Sequence, residues 1–137
     1  MLSQGTPGQP TRGASDAQQA TIAVPDGIIF LLDPGHPNIT VPAFEPGCAV
    51  ATSPSCVSIA TVPEVDGYLT LYLGSKGATK EALLVLAALI DTPTSTLAIV
   101  SSQFQIILVL HDLAIRTSVE VYANRLASPD CVCIIAS

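Results

Sequence analysis

Tyr68-Leu69-Thr70-Leu71-Tyr72-Leu73 alternates without a break. Leu69, Leu71 and Leu73 point to one side of an extended chain, and Tyr68, Thr70 and Tyr72 to the other, the period of a half-buried β-strand. Pro63 precedes the run, and Gly74-Ser75-Lys76-Gly77 follows it and reads as a hairpin turn.

The same grammar extends in both directions. Upstream, Thr21–Val24 stops at Pro25-Asp26-Gly27, and Ile28–Leu32 stops at Asp33-Pro34-Gly35. Asn38–Val41 ends at Pro42, Cys48–Ala51 precedes Ser53-Pro54-Ser55, and Cys56–Val62 ends at Pro63. Downstream, Leu97–Val100, Phe104–Leu110, Ser118–Ala123 and Cys131–Ile135 continue the pattern. Val, Ile and Thr suit strands, and short strands between turn signals predict an all-β, mostly antiparallel two-sheet sandwich. Lys80–Ile90 (KEALLVLAALI) is the ambiguous stretch. Its residues are strong helix formers, yet its apolar run is nearly continuous. A strand is favoured within a β chain, with one short helix near 80–90 as the alternative.

Residues 1–19 carry Ser, Gln, Gly, Pro and Thr, with little to bury, and predict a flexible tail ahead of a single domain over 20–137. The chain of 137 residues is long enough for its own core. Three runs, Ile28–Leu32, Leu83–Ile90 and Ile106–Leu110, are apolar on both sides. Their outer faces need cover from the tail, a loop or another chain, and self-association to at least a dimer is expected.

Hydrophobic residues make up 49% of the chain and charged residues 12%, about half the globular norm. Eleven acidic against five basic residues leave a net charge of −6. Arg12, Lys76, Lys80, Arg116 and Arg125 are scattered, so the sequence offers no basic footprint for nucleic acid or for an anionic membrane. Thr92–His111 is too polar for a spanning helix. Met1–Ala20 lacks a basic start followed by an apolar run, and the expected location is the cytoplasm.

The cysteines are Cys48, Cys56, Cys131 and Cys133. Cys131 and Cys133 share one side of a strand, about 6–7 Å apart. That spacing fits two small core-facing residues better than a zinc ribbon. Cys48 and Cys56, eight apart across a Pro turn, read as buried thiols able to face each other in a hairpin. His36 and His111 lie in or beside turns, with no HExxH or Gly-x-Ser-x-Gly pattern around them. No cofactor, metal site or catalytic group is expected. A small enzyme or metal protein built on His36, His111 and the cysteines is the third-ranked function class.

The acids gather in turns: Asp26, Asp33, Glu45, Glu64, Asp66, Asp91, Asp112 and Asp130. Glu64 and Asp66 share one loop, and Asp26, Asp33 and Glu45 are expected to share one end of the sandwich. An acidic rim on an apolar body suits docking to a basic protein surface. Asp26, Asp33, Glu45, Glu64 and Asp66 are therefore the expected partner-binding residues.

The C-terminal third runs Ile90-Asp91-Thr92-Pro93-Thr94-Ser95-Thr96-Leu97-Ala98-Ile99. Ser118-Val119-Glu120-Val121-Tyr122-Ala123-Asn124-Arg125 and Ser128-Pro129-Asp130-Cys131-Val132-Cys133-Ile134 follow. This layout resembles small bacterial β-sandwich proteins of the competence-nuclease-inhibitor and toxin-immunity kind. The likeness covers about 50 residues as layout rather than invariant residues, and the chain departs from it in its low charge and in Leu83–Ile90. The resemblance implies a non-enzymatic sandwich that neutralises a toxin or nuclease by binding it. A structural or assembly protein that self-associates through apolar sheet faces is the alternative.

Overall fold

A computed structural model describes residues 18–75 and 83–137. Ten strands among the described residues form two five-stranded sheets: β1 (Gln18–Ile22), β2 (Ile28–Leu32), β3 (Val50–Ser53), β4 (Cys56–Ala60), β5 (Leu69–Gly74), β6 (Leu83–Asp91), β7 (Leu97–Ser101), β8 (Ile106–Leu110), β9 (Arg116–Ala123) and β10 (Cys131–Ala136). A single 3-10 turn, Glu64–Asp66, is the helical content among the described residues. The first sheet has the order β1-β5-β10-β9-β6 and the second β3-β4-β2-β7-β8. Every pairing is antiparallel except β5 with β10. The all-β, mostly antiparallel sandwich expected from the alternation is the observed architecture.

The core lies between the sheets and follows strand parity. Leu69, Leu71 and Leu73 of β5 meet Val119 and Val121 of β9 and Val132 and Ile134 of β10, with Ile29, Leu31, Val57, Ile59, Leu97 and Ile99 from the facing sheet. The ambiguous run is strand β6, paired with β9 through a bulge at Leu84/Leu86. A helix would have removed the hydrogen-bonding partner of β9 along that edge. Lys80–Ala82 lie outside the described residues.

The strands define two ends. At the upper end β2 begins, β4 and β7 finish, and β5 and β10 start; at the lower end β2 finishes and β4 and β7 start. β2 therefore leaves at the bottom while β3 enters at the top, so residues 33–49 cross the outside of the second sheet as a strap.

Under the strap Phe30, Leu32, Cys56, Ala98 and Val100 form a second buried cluster, with Ile39 packed on it from the strap itself. The apolar outer face expected at Ile28–Leu32 thus exists, β7 shares it, and a loop covers it.

Several local expectations are corrected. Asn38–Val41 is not a strand. Pro34, Pro37, Pro42 and Pro46 remove amides that pairing would need, and hydroxyls hold the segment instead. Thr40 N–H donates to Ser55 Oγ at 2.8 Å, Ser53 Oγ to the Thr40 carbonyl at 2.6 Å, and Ser58 Oγ to the Pro42 carbonyl at 3.1 Å. Gly74–Gly77 does not join neighbouring strands, because β10 and β9 stand between β5 and β6. Cys131 and Cys133 point away from the intersheet core, which Val132 and Ile134 enter. Cys48 is exposed and Cys56 buried, and Cys56 pairs with Ser53 rather than facing Cys48. Gln18 and Gln19 belong to β1, inside the segment read as tail; residues 1–17 lie outside the described residues. No helix among the described residues is long and apolar enough to cross a membrane.

Candidate functional site

Four connections meet at the upper end. The β1–β2 turn is closed by Gly27 N–H donating to the Val24 carbonyl at 3.1 Å. Gly27 takes φ +65°, and a Cβ there would stand 2.8 Å from the Thr61 carbonyl oxygen, so glycine is required. This places Asp26 at the exposed tip. Thr61 N–H donates to the Gly27 carbonyl and Glu64 N–H to the Val24 carbonyl, binding the 3-10 turn to the same place. Val62 N–H then reaches the Pro129 carbonyl of the β9–β10 connection. On the other side Ser102 Oγ donates to Asp26 Oδ2 at 3.0 Å, adding the β7–β8 hairpin.

That hairpin is unusual. Phe104 N–H donates to the Ser101 carbonyl, and Ser101 N–H to the Gln105 carbonyl, a three-residue loop. Phe104 occupies its left-handed position with φ 62°, where glycine is preferred. A bulky residue there costs about 1–2 kcal/mol. Phe104 is nevertheless 57% exposed. Its ring stacks on Phe30 at 5.5 Å between centroids, so the strained position holds one aromatic face against the strap-side cluster while the rest meets solvent.

Large apolar side chains concentrate here. Val65, Tyr68, Phe104, Ile106 and Leu126 are all exposed at the upper end. Among them stand the exposed acids Asp26, Glu64 and Asp66, with Glu45 in the turn that leads into β3. The Glu64 and Asp66 carboxylates have no ion-pair partner among the described residues. Asp130 also belongs to this end, where Asn124 Nδ2 donates to it at 2.8 Å and Arg125 stands 3.9 Å away. Arg125 is the basic residue of this end among the described residues, and Ala127 and Ser128 carbonyls also hold its guanidinium. A cleft of about 290 Å³ opens beside it between the sheets, lined chiefly by Val50, Ile59, Leu84, Val121, Leu126 and Val132.

Asp33 does not join this group. It follows β2 where Asp26 precedes it, so the two stand at opposite ends of a strand about 17 Å long. Asp33 is fully buried and accepts three hydrogen bonds: from Gly35 N–H at 2.8 Å, Thr94 N–H at 2.7 Å and the Thr94 hydroxyl at 2.5 Å. It anchors the start of the strap. The expected grouping of Asp26, Asp33 and Glu45 at one end thus loses Asp33.

The histidines and cysteines are not gathered into one site. His36 and His111 lie at the lower end, where His36 Nδ1 accepts the Asn38 amide at 2.9 Å. Cys48 lies in the turn before β3, Cys131 and Cys133 on the outside of the first sheet, and Cys56 under the strap. Among the described residues no three His, Cys, Asp or Glu side chains converge to hold a metal.

Sequence reading missed the apolar half of the upper end. Its signal was present as large apolar residues inside turn segments: Val65 between Glu64 and Asp66, Phe104 between Gln103 and Gln105, and Leu126 beside Arg125.

No family profile matches the chain, and no curated protein matches it in sequence. Two solved structures match the chain in the structural comparison. One is the product of crocagin biosynthetic gene J, with a TM-score of 0.46 and 13% identity over 88% of this chain and 95% of that one. The other is ComJ from Bacillus subtilis, an inhibitor of the DNA degrading activity of NucA. It is similar with a TM-score of 0.61 over 87% of this chain and 93% of that one, at 8% identity, which makes the likeness one of fold.

Proposed function

We infer that this protein is a non-enzymatic binding module that neutralises a nuclease, or a similar toxic enzyme, by covering its basic substrate cleft. The observation that carries the reading is the composition of the upper end. Exposed apolar side chains stand among Asp26, Glu45, Glu64 and Asp66, with Arg125 as their basic neighbour among the described residues. Buried aromatic and aliphatic anchors supply most of the free energy in protein interfaces, and charges around them set association rate and register. An acidic surface is repelled by nucleic acid and attracted to the cationic cleft that binds it. The fold likeness to ComJ agrees with this reading without carrying it, since one fold hosts many functions. Asp33 is left out of the interface because its carboxylate is enclosed.

The test is DNA hydrolysis in an extract of the native host, titrated with the purified protein. Stoichiometric loss of hydrolysis is expected. A Glu64→Lys/Asp66→Lys double variant places cations on the exposed turn without touching the core. It should associate at least about tenfold more slowly at low salt, with a weaker dependence on ionic strength. No loss of nuclease activity at any ratio would remove the inhibitor reading. Full inhibition with unchanged kinetics in the double variant would remove this end from the interface.

A further inference from the structure

The sandwich has four edge strands, and three are guarded. β1 is polar, and its Gln18 Nε2 donates across the seam to the Val109 carbonyl of β8 at 2.6 Å, tying those two edges together. β3 has only four residues, and Ser53 is bonded to the strap. β6 is different: at nine residues it is the longest strand described, and its sequence is LLVLAALID. It has no proline or lysine, and no charge before its last residue. Charges, prolines and shortness are the usual protections of an edge.

Ahead of Asp91 the backbone of β6 has no partner on its outer side among the described residues. Asp91 N–H donates to the Pro54 carbonyl in the other sheet at 2.8 Å, so it points away from β9. By the two-residue repeat of a strand, the amides of Ala87 and Leu89 point the same way. Neither meets a backbone acceptor among the described residues. Leu83, Leu84 and Leu89 stand exposed beside them, Leu84 and Leu89 each at 53%.

We propose that β6 pairs with β6 of a second copy, antiparallel about a two-fold axis near Leu86, joining the two first sheets into one continuous sheet. Charge selects a second copy as the occupant. The chain carries a net charge of −6, so two copies repel on approach. Along Leu84–Leu89 they meet without facing charges. The two Asp91 carboxylates stand at opposite ends of the pair, about 30 Å apart, beyond the screening length at physiological salt. Each Asp91 also has Arg116 at 3.3 Å. Pro54 stops the pairing at Asp91, and the bulge turns the Leu83 backbone toward β9, leaving Leu84–Leu89 for the contact. The strap already covers the outer face of β2 and β7, so the edge, rather than that face, is where copies join. This association is independent of any partner at the upper end.

The full chain is measured by sedimentation equilibrium, with hydrogen exchange read at Ala87 and Leu89. A dimer with slow exchange at both amides is expected. Leu89→Lys, at an exposed position, should raise the dimer dissociation constant by about tenfold or more through lost burial and paired like charges. Ala87→Pro removes an outward amide while sparing the ladder to β9, and should have the same effect; circular dichroism confirms that both variants fold. A monomer at high micromolar concentration overturns the proposal. So does a dimer that both variants preserve. A monomer with slow exchange at both amides would place another segment of the same chain on the edge, and equally overturns it.

Discussion

The two sheets turn opposite outer faces to their surroundings. Among the described residues no segment covers the outer face of the first sheet. Thr21 and Thr70 stand beside each other there, hydroxyl to hydroxyl at 3.2 Å, and Tyr122 donates to Glu120 at 3.0 Å. That bond to a carboxylate, more than any desolvation, pushes the Tyr122 phenol above its ordinary pKa. The second sheet buries its outer face under residues 33–49, as a second core of Phe30, Leu32, Cys56, Ala98 and Val100. The difference teaches what each strand pattern demands. β5 and β9 alternate, so one side is content in water. β2 and β7, IIFLL and LAIVS, are apolar on both sides and call for a third layer. The strap is that layer, and its prolines and hydroxyl bonds suit a segment that covers a sheet without joining it.

The largest effect should come from the covered face itself. Leu32→Ala removes a side chain that is 2% exposed and should cost about 2–5 kcal/mol in chemical denaturation, as much as a change between the sheets. Tyr68→Ala, at a side chain that is 68% exposed, should cost less than about 1 kcal/mol. Equal costs would break the contrast between covered and open faces.

Next comes the anchor of the strap. Asp33→Ala deletes the acceptor of three hydrogen bonds and leaves the Gly35 and Thr94 amides without it. A loss of about 2–3 kcal/mol is expected. Limited proteolysis should then cut within residues 34–46 faster than in the parent, because the cover lifts before the sandwich opens. Unchanged cleavage would show that the strap is held elsewhere.

The smallest effect is chemical. Burial under the strap raises the Cys56 thiol from 9.0 to about 11, against a smaller lowering by Ser58. A raised folded pKa means the unfolded chain loses its proton first, so stability holds below about pH 9 and falls as the pH rises toward about 11. A Cys56→Ala variant should lack that decline. At neutral pH a thiol reagent should modify exposed Cys48 rapidly and Cys56 only as the strap opens. Equal rates would mean that the cover is absent in solution.

Much of this was legible from local pattern. The clean alternation of Tyr68–Leu73 fixed which of its residues enter the core, because extended geometry permits only two sides. Turn tripeptides such as Pro25-Asp26-Gly27 located the acids of the upper end, since only certain residues accept those backbone angles. The continuous runs announced faces in need of cover. Other features depended on pairing between distant segments. Asp26 and Asp33 look alike in sequence, each beside a turn next to β2. One is an exposed tip and the other a buried anchor, because strand direction sends them to opposite ends and brings Thr94 to the second. Cys131 and Cys133 could have faced either way, since strand parity fixes that they agree but not toward which side. Lys80–Ile90 had the composition of a helix, and pairing with β9 made its described part a strand, overriding local propensity through long-range hydrogen bonds and burial. Local sequence thus determined periodicity, turns and the inventory of faces, which are short-range steric and hydrophobic properties. Which face is covered, which acids meet and which edge stays free were decided by the tertiary structure, because those properties belong to strand order rather than to any one strand.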